Sequence, residues 1–594
     1  MDLRAASQPV TCLGITFEND DARREHFRRL LRERLADPEF RATPGFPEGS
    51  DDDIVNMSDP PYYTACPNPF LELFIAEIGS AYDSTKFYSR APMAVDVSVG
   101  KTDSLYRAHG YHTKVPHQAI VPSILHYTSP GDVVLDAFCG SGMTSLAAQF
   151  CSVAPEHYRT ELENDWRLLG REAPTWGIRH AVQSDLSPAA TFIASNYNIP
   201  FDVDEFEAAA RRILDQARQE IGWMYETTTE DGHQRCTIDF TVWSEVFSCA
   251  SCTHPIVFAS AEKADKDEGR AKIICSECGA LSKKEDLDLV RETFLDIGSG
   301  KTNWRPLREP LFLVAKVGKS TIQKPLSESD RIVLDRIKDL ENPIEIPNNK
   351  LSESKASTEG RMRTTNTQSV NQFFLDRPKH ALSYFWRYAN QESDVSIRRA
   401  LLFWVEQAII GMSVLNRYSP THFSQVNRNL NGVFYVGSQH SECSPWYILE
   451  GKLDRLVKAF KGYRPTNGAV FTSVGTAARI GLPECSIDYI FTDPPFGGNI
   501  YYADLNYVVE AFHRVFTKDR EEAVVNKYTE KTITDYEVMM NNCFSEYFRV
   551  LKPGRWMTVV FSNSSAAVWN AIRVALQQAG FVVAEVTALD KVQG

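Results

Sequence analysis

The sequence has no stretch that approaches the roughly eighteen uninterrupted apolar residues of a membrane span. Its first residues, MDLRAASQPV, also lack the charged segment and apolar core of an export signal. We therefore expect a cytoplasmic protein with no membrane partner. At 594 residues, of which 43% are hydrophobic and 24% charged, the chain is globular and long enough for about three to four domains.

Cysteine is sparse, and positive charge is not in excess. Twelve cysteines are spread mostly singly along the chain, which favours reduced thiols over a disulfide framework. A formal net charge of -13 argues against a nonspecific polycation. Residues 301–379 nevertheless carry 15 Lys and Arg against 10 Asp and Glu. This part of the chain is therefore either a local face for phosphate contacts or a solvated loop face.

The stretch SPGDVVLDAFCGSGMTSLAAQF at 129–150 predicts a strand, a glycine loop and a helix. An apolar run, Val133–Leu135, ends at the loop, and a helical pattern begins at Thr144. Gly140 and Gly142 let the backbone approach a ligand closely at the helix N-terminus. The loop lacks the third glycine of a dinucleotide fingerprint and the Lys-Ser/Thr pair of a triphosphate loop. A phosphate ligand is therefore not favoured.

The segment VLDAFCGSGMT resembles motif I of the S-adenosylmethionine-dependent amino-methyltransferases that act on DNA. YHTKVPHQAIVPSILHYTSPGD resembles their motif X, and RHAVQSDLSPAATFIASNYN supplies Asp185 at the end of a second strand. The resemblance implies that the loop holds the methionine part of S-adenosylmethionine and that Asp185 accepts its ribose hydroxyls. We attribute the long interval between Asp136 and Asp185 to an insertion near 151–175. The residues that the resemblance assigns to the cofactor are Lys114, Asp136, Phe138, Cys139, Gly140, Gly142, Thr144, Asp185, Leu186 and Thr476.

Two Asp-Pro-Pro-aromatic tetrapeptides begin at Asp59 and at Asp493. In the enzymes named above, this tetrapeptide follows the fourth strand of the sheet, under the target base. SIDYIFT, before Asp493, predicts such a strand, whereas GSDDDIVNMS, before Asp59, does not. After Asp493, FSEYFRVLKPGRWMTVVF and AIRVALQQAGFVVAEVTAL predict two further helix–strand pairs, the second with a helix stop at Gly580. The catalytic copy is therefore predicted to be Asp493, Pro494, Pro495 and Phe496.

The chemistry of amino methylation explains these residue types. An exocyclic amine is a poor nucleophile because its lone pair is delocalised into the base. The Asp493 carboxylate and the Pro494 carbonyl could accept its two hydrogens and favour a pyramidal nitrogen. The two prolines fix this geometry at low entropic cost, and Phe496 offers a face on which an extruded base can stack.

Four of the cysteines form two Cys-x-x-Cys pairs. Cys249 and Cys252 are separated from Cys275 and Cys278 by 22 residues, a spacing typical of a four-thiolate zinc ribbon. Two coincidental buried pairs, or a redox motif, are the alternatives. Four ligands leave no open position for water, so the predicted zinc is structural.

The combination resembles the zinc-ribbon-containing adenine-specific DNA methylases, bacterial and archaeal proteins often met near restriction or phage-defence genes. The resemblance implies a Rossmann-like, doubly wound α/β sheet of seven strands, with a helical N-terminal extension and a large insertion. The predicted domains are the extension at 1–100, a cofactor half at 101–200, an insertion at 201–465 with its ribbon at 245–282, and a catalytic half at 466–594. The chain departs from the pattern of this family at Thr476, a motif III position where relatives often carry Asp.

The implied reaction moves a methyl group from S-adenosylmethionine to the N6 amine of adenine in double-stranded DNA, with the target base flipped out. The resemblance also implies that the protein is associated with the nucleoid when it is bound to DNA. It implies a restriction-modification or phage-defence context, in which other defence subunits are candidate partners. The alternatives are an N4-cytosine DNA enzyme, a guanine-N2 RNA enzyme and a non-catalytic DNA-binding scaffold.

The secondary structure of the remaining segments is predicted from their local residue patterns. FENDDARREHFRRLLRERL predicts a charged amphipathic helix, and DPPYYTACPNPF predicts a turn followed by a helix from about Leu71. Tyr62 and Tyr63 either pack on the catalytic domain or line its cleft. LSESKASTEGRMRTTNTQS predicts a mobile loop, and ALLFWVEQAIIGMSVLNRY a buried helix. The candidate phosphate contacts, or else ordinary surface arginines, are Arg361, Arg363, Arg417 and Arg428.

Overall fold

The computed structural model describes residues 9–94, 99–263, 272–296, 300–341, 345–419, 434–466 and 468–587. The chain divides into two compact units, one of residues 1–203 and 455–594 and the other of residues 204–454. Among the helices of the described ranges, none is both long and apolar enough to cross a bilayer.

The N-terminal part of the first unit alternates short strands and helices. Its elements are β1 (Val10–Cys12), β2 (Ile15–Phe17), α1 (Asp20–Leu35), α2 (Pro38–Arg41), α3 (Asp51–Met57), β3 (Tyr63–Thr64), α4 (Leu71–Ile78), α5 (Ser104–Ala108), α6 (His117–Tyr127), β4 (Val133–Asp136), α7 (Met143–Val153), α8 (Glu156–Leu168), β5 (His180–Asp185) and α9 (Pro188–Asn198).

The second unit is mainly antiparallel. Its elements are α10 (Val203–Ile221), β6 (Glu226–Thr228), β7 (Arg235–Ser248), β8 (Pro255–Val257), β9 (Ile273–Ile274), β10 (Leu281–Ser282), β11 (Asp288–Leu289), β12 (Arg291–Asp296), β13 (Lys301–Pro306), β14 (Arg308–Val317), β15 (Ser320–Pro325), α11 (Glu328–Lys338), α12 (Lys355–Thr358), α13 (Gly360–Thr365), α14 (Asp376–Asn390), α15 (Val395–Ile409) and β16 (Gln439–Cys443).

The chain then returns to the first unit through a long helix that begins in the second. The remaining elements are α16 (Pro445–Lys461), β17 (Val470–Val474), β18 (Ile487–Thr492), α17 (Tyr502–His513), α18 (Ile533–Val550), β19 (Leu551–Val559) and α19 (Ala566–Gln578). Short 3-10 helices lie at Gly222–Tyr225, Lys284–Asp286, Val370–Phe373 and Asp519–Glu521.

A parallel sheet organises the first unit. Its order is β19-β18-β4-β5-β17-β3, and every pair of neighbours is parallel. Strands β4, β17 and β18 are buried along their whole length, as expected for parallel strands covered on both faces. The predicted Rossmann-like α/β fold is confirmed in this form. The carboxyl ends of β4, β5, β17 and β18 meet at one edge, where ligands bind in such sheets.

The sheet differs from the prediction at both edges, and it has six strands in the described residues rather than seven. The N-terminal extension is not purely helical, because Tyr63 and Thr64 form an edge strand beside Thr472 and Ser473. Helix α19 ends before Gly580 as predicted, but residues 581–587 form no strand. Strand propensity depends on pairing context, and β19 pairs only with β18 among the described strands. The last residues of the predicted strand lie outside the described residues.

In the second unit, seven strands form an antiparallel sheet around β7, which has 14 residues and pairs with β14, β16, β6, β8 and β11. The predicted buried helix is confirmed as α15, whose Trp404 is fully buried and donates its indole N–H to the Leu449 carbonyl at 2.8 Å. The prediction of a mobile loop at 351–369 is wrong, because this segment contains α12 and α13. A side chain of this segment ties it to β13: Asn366 caps α13, and its amide donates to the side chain of Asn303 at 2.8 Å.

Candidate active site

A cleft opens at the carboxyl edge of the parallel sheet in the first unit. Nine of the ten residues that the sequence assigned to the cofactor line it: Lys114, Asp136, Phe138, Cys139, Gly140, Thr144, Asp185, Leu186 and Thr476. Asp493 and Pro495 of the second tetrapeptide line the same cleft. The fold therefore brings together motifs that are up to about 380 residues apart in sequence.

Asp136, at the end of β4, organises the loop that follows it. Its carboxylate accepts hydrogen bonds from the Thr144 hydroxyl at 2.6 Å, the Phe138 N–H at 3.1 Å and the Thr492 hydroxyl at 3.1 Å. Burial raises the pKa of Asp136 to about 6, while these hydrogen bonds act in the opposite direction. Asp136 thus ties the loop both to the start of α7 and to β18.

The two glycines of the loop have different surroundings. Gly140 has a φ of +49° and lines the cleft, and its N–H donates to Asp185 at 2.9 Å. Gly142 has a φ of +78° and caps α7. A Cβ atom there would lie 2.7 Å from the Ala194 Cβ of α9. Gly142 therefore permits helix packing, whereas the sequence predicted close approach to a ligand. It is not among the described residues that line the cleft.

Asp185 ends β5 and faces the same cleft. Its carboxylate accepts from the N–H groups of Gly140 and Ser187, each at 2.9 Å. Burial raises its pKa to about 6. Because a carboxylate offers about four acceptor positions, Asp185 can accept further donors from a ligand.

Asp493 follows β18 and is only partly exposed. Its Oδ1 atom is buried and has no hydrogen-bond partner among the described residues. Burial, and then the charge of Asp136, raise the pKa of Asp493 well above its ordinary value. A buried acceptor without a partner is costly in a folded protein, so its retention suits a group that meets a donor on a ligand.

The rest of the tetrapeptide is held by neighbouring side chains. The Pro495 carbonyl accepts from the Tyr536 hydroxyl at 2.7 Å, and the Phe496 carbonyl accepts from the Asn563 amide at 2.7 Å. The Phe496 ring contacts Phe561 edge-on, with 5.6 Å between centroids. Phe496 and Pro494 do not occur among the described cleft-lining residues, so the stacking predicted for Phe496 stays a prediction.

Lys114 and Thr476 are also among the residues that line the cleft. The Lys114 ammonium donates to the carbonyls of Tyr106 and His109, which fixes it within its own segment. The Thr476 hydroxyl accepts from the Ala478 N–H at 3.3 Å. Gly45 approaches so closely that a Cβ there would lie 2.6 Å from the Thr476 nitrogen. The N-terminal segment therefore supports motif III.

Sequence reasoning did not single out four further cleft residues, namely Tyr111, Ser187, Tyr502 and Glu522. The Tyr502 and Thr113 hydroxyls are 2.9 Å apart, and Glu522 accepts from the Tyr502 N–H at 2.7 Å. Burial raises the pKa of Glu522 to about 8. Tyr111 lies inside the motif X stretch and could have been found there. Glu522 carries no local pattern that could have identified it.

The first tetrapeptide has a different environment. Asp59 is fully buried and forms ion pairs with Arg23 and Arg24, both at 3.2 Å. The Tyr62 ring packs edge-on against Phe471, with centroids 5.6 Å apart. Tyr63 is buried in strand β3. The structural interpretation of this copy is confirmed, since none of these residues is among the described residues that line the cleft.

The four cysteines lie together in the second unit. Their sulfur atoms are all within 4.8 Å of one another, and Cys249–Cys278 and Cys252–Cys275 are each 3.7 Å apart. A zinc ion bound tetrahedrally by thiolates at about 2.3 Å requires sulfur separations of about 3.8 Å. The donor set and its spacing therefore fit a four-coordinate metal.

The candidate phosphate contacts are dispersed. Arg361 donates to both carboxylate oxygens of the buried Glu245. Arg363 is exposed, and Arg417 forms a backbone bridge to His440. Arg428 lies outside the described residues.

Comparison with known proteins gives one family. Residues 85–151 match the model of the N6/N4 DNA methylase family, described as DNA methylase. The match supports a DNA methyltransferase. No curated protein and no solved structure shows significant similarity to the chain.

The matched range covers part of the cleft at the carboxyl edge of the sheet. It contains Lys114 and the loop from Asp136 to Thr144, and it ends before Asp185. It supports a methyltransferase of the N6-adenine or N4-cytosine type, which implies use of S-adenosylmethionine. Asp493 lies outside the match, so its place in the site comes from the fold alone.

Proposed function

We propose that the chain transfers a methyl group from S-adenosylmethionine to the N6 amine of adenine in double-stranded DNA. The observation that carries this proposal is the buried, unpartnered Oδ1 of Asp493, in the cleft that also contains the glycine loop and Asp185. The Asp at the head of the tetrapeptide favours adenine, since N4-cytosine enzymes more often have Ser there.

The cleft residues fit the cofactor. The Gly140 loop would hold its methionine part, and Asp185 has acceptor capacity left for ribose hydroxyls. Phe138 and Leu186 give the cleft apolar walls. When bound, S-adenosylmethionine supplies an electrophilic methyl group on a sulfonium.

The protein's own contribution is to prepare the nucleophile. Asp493 Oδ1 accepts a hydrogen bond from one N–H of the amine, and the Pro494 carbonyl accepts a hydrogen bond from the other, which favours a pyramidal nitrogen with a localised lone pair. A base inside a duplex cannot reach this cleft, so the target base has to be extruded, and Phe496 is its proposed stacking partner.

The cysteine cluster is proposed to bind one structural zinc ion per chain. Four thiolates fill a tetrahedral shell and leave no position for a reacting water. Elemental analysis of freshly purified protein tests this proposal, and a result without zinc would remove it.

Nucleoside analysis after incubation with methyl-labelled cofactor tests the reaction. Label in N6-methyladenine from genomic DNA is the expected result. Label in N4-methylcytosine would change the base, and label in RNA alone would remove the DNA assignment. Cofactor binding without transfer to any DNA would favour the scaffold alternative. Target choice is proposed to lie in the insertion from about 200 to 465, because the catalytic half of the chain has little sequence left over between its strands.

A further inference from the structure

We propose that Lys284, Arg308 and Arg361 form a binding site for a phosphate group of the DNA backbone. The site lies in the second unit, beside the four-cysteine element. The inference rests on the proposed function, since DNA supplies the phosphate.

The site is built around a single carboxylate. Glu245 of β7 is fully buried, and Arg361 donates from Nη2 to both of its oxygens. Arg308 is the cross-strand partner of Glu245 on β14, and its Nη2 lies 3.8 Å from Glu245 Oε1. One buried carboxylate thus faces two guanidinium groups.

Lys284 adds a third positive charge. It follows β10 and donates to the Ser438 hydroxyl, and its Nζ lies 4.5 Å from the centroid of the Phe258 ring. Burial, and then the charge of Arg361, lower the pKa of Lys284. Burial also lowers the pKa of Arg308 to about 10.

Neighbouring acids offset only part of this excess: Glu245 and Glu285 act to raise the pKa of Lys284, but burial and Arg361 lower it by more. Glu292 and Asp376 pair with Arg305, at 2.6 and 3.5 Å. Glu285 is exposed next to Lys284. Burial and neighbouring arginines both act to lower the pKa of Lys284 and the pKa of Arg308, as expected where buried cations lie close together.

A donor remains for a ligand. The Arg308 side chain is 7% exposed, and its Nε is buried without a hydrogen-bond partner in the described part of the chain. The Arg361 side chain is 21% exposed and Lys284 is only partly buried, so both reach solvent. A phosphate diester, with one negative charge and two non-bridging oxygens, would satisfy the donor and offset the charge. Such a local basic site agrees with DNA binding by a chain whose net charge is -13.

Binding of the full-length protein to a mixed-sequence duplex, measured over a range of salt concentrations, tests the site. Lys284→Gln keeps a hydrogen-bonding side chain and should weaken binding several-fold at low salt. It should also reduce the slope of log K against log salt by about 0.9, the value for one lost phosphate contact. Lys283→Gln, at the exposed neighbouring position, is the matched control and should leave the slope unchanged. Equal slopes for the two variants would overturn the proposal.

Three further measurements separate the outcomes. Zinc content and thermal unfolding show whether the variants are folded, and Arg308→Gln, which also removes one positive charge, should give the same loss of slope as Lys284→Gln. If wild-type protein transfers no methyl group to DNA, the proposed function fails. If it transfers methyl groups and both variants keep the wild-type slope, only the phosphate site fails. Stabilisation by inorganic phosphate with an unchanged DNA slope would assign the site to a free anion and overturn the DNA assignment.

Discussion

Asp59 and Asp493 share the Asp-Pro-Pro-aromatic pattern and have opposite electrostatic surroundings. Asp59 is fully buried between Arg23 and Arg24, so its charge is compensated and it has no acceptor role in the cleft. Asp493 keeps a buried oxygen without a partner among the described residues. The first carboxylate therefore contributes to stability, whereas the second is costly to stability and, in the proposed function, meets a donor on the ligand.

Replacing Asp493 separates activity from stability. Asp493→Asn removes the negative acceptor and should lower methyl transfer by on the order of 10²-fold or more. Stability should stay equal or increase, because the buried carboxylate has no partner to lose. Labelled-methyl incorporation and urea unfolding measure the two effects, with cofactor affinity as the control. Wild-type turnover in a folded variant would contradict the site assignment.

Replacing Asp59 should have the reverse effect. Asp59→Ala removes the buried carboxylate between Arg23 and Arg24. Asp20 still pairs with both arginines at 2.6 Å, so the free energy of unfolding should fall by about 1–3 kcal/mol. The protein that remains folded should bind the cofactor normally, since Asp59 does not line the cleft. Urea denaturation measures the loss, and a change below about 1 kcal/mol would show that the ion pairs contribute little.

The pH dependence of the reaction should report Asp493. Its pKa is raised by burial and by Asp136, and the acceptor role requires the ionised form. As the pH falls through this raised pKa, the carboxylate is protonated and kcat/KM should decline. The acidic limb should therefore lie well above the ordinary aspartate value of 3.8. A profile that stays flat down to that value would exclude Asp493 as the required base-facing carboxylate.

At the scale of elements, the four-cysteine segment has little core of its own. Its buried apolar side chains are Phe247, Ile256, Ile273 and Leu287, packed around the cysteines. Strands β9 and β10 have two residues each. Such a small core requires an additional constraint, and a metal bound by all four thiolates would provide it.

Removing one thiolate tests this dependence. Cys275→Ser should reduce the zinc content to a small fraction of one ion per chain and increase proteolysis between residues 249 and 282. Cys236→Ser, a buried cysteine outside the cluster, is the control and should retain zinc. Full zinc occupancy in Cys275→Ser would show that this thiolate is not a ligand.

At the scale of the whole molecule, the second unit is a folded body whose polar residues are built into its core. Residues 361–380 illustrate this packing of polar side chains into the core. Part of this segment overlaps the predicted loop, which had suggested that it could be replaced by a linker. Arg361 pairs with Glu245, and Arg377 donates to Glu442 at 2.5 Å and to Thr241 at 2.8 Å. Exchanging this segment for a neutral linker would unfold the unit, so recognition is better tested by single substitutions.

Two compact units predict two responses in calorimetry. Cofactor at 100 times its Kd should stabilise the unit with the cleft, residues 1–203 and 455–594, by about 2.7 kcal/mol. A chelator should lower the transition of residues 204–454, which contain the cysteines. The Asp493→Asn variant is the control for cofactor binding without turnover. A single transition that responds to both ligands would show that the units unfold together.

The sequence by itself determined the features that contiguous residues encode. The strand, loop and helix from Val133 to Val153 follow from local hydrophobic periodicity and from glycine at the turn. The Cys-x-x-Cys pairs and the strand before Asp493 are likewise readable within a few residues. Chain order was enough to predict that Asp493, and not Asp59, follows a strand of the parallel sheet.

The tertiary structure decided whatever depends on residues distant in sequence. Asp59 is neutralised by side chains 35 and 36 residues away, and Gly142 is required because α9 approaches α7. Tyr63 becomes an edge strand only because Thr472 offers a parallel partner, whereas residues 581–587 have a strand pattern and form no strand. Hydrophobic periodicity indicates which secondary structure a segment is able to form. Burial, pairing and the compensation of charge depend on which other segments come within a few ångströms, and only the fold fixes that.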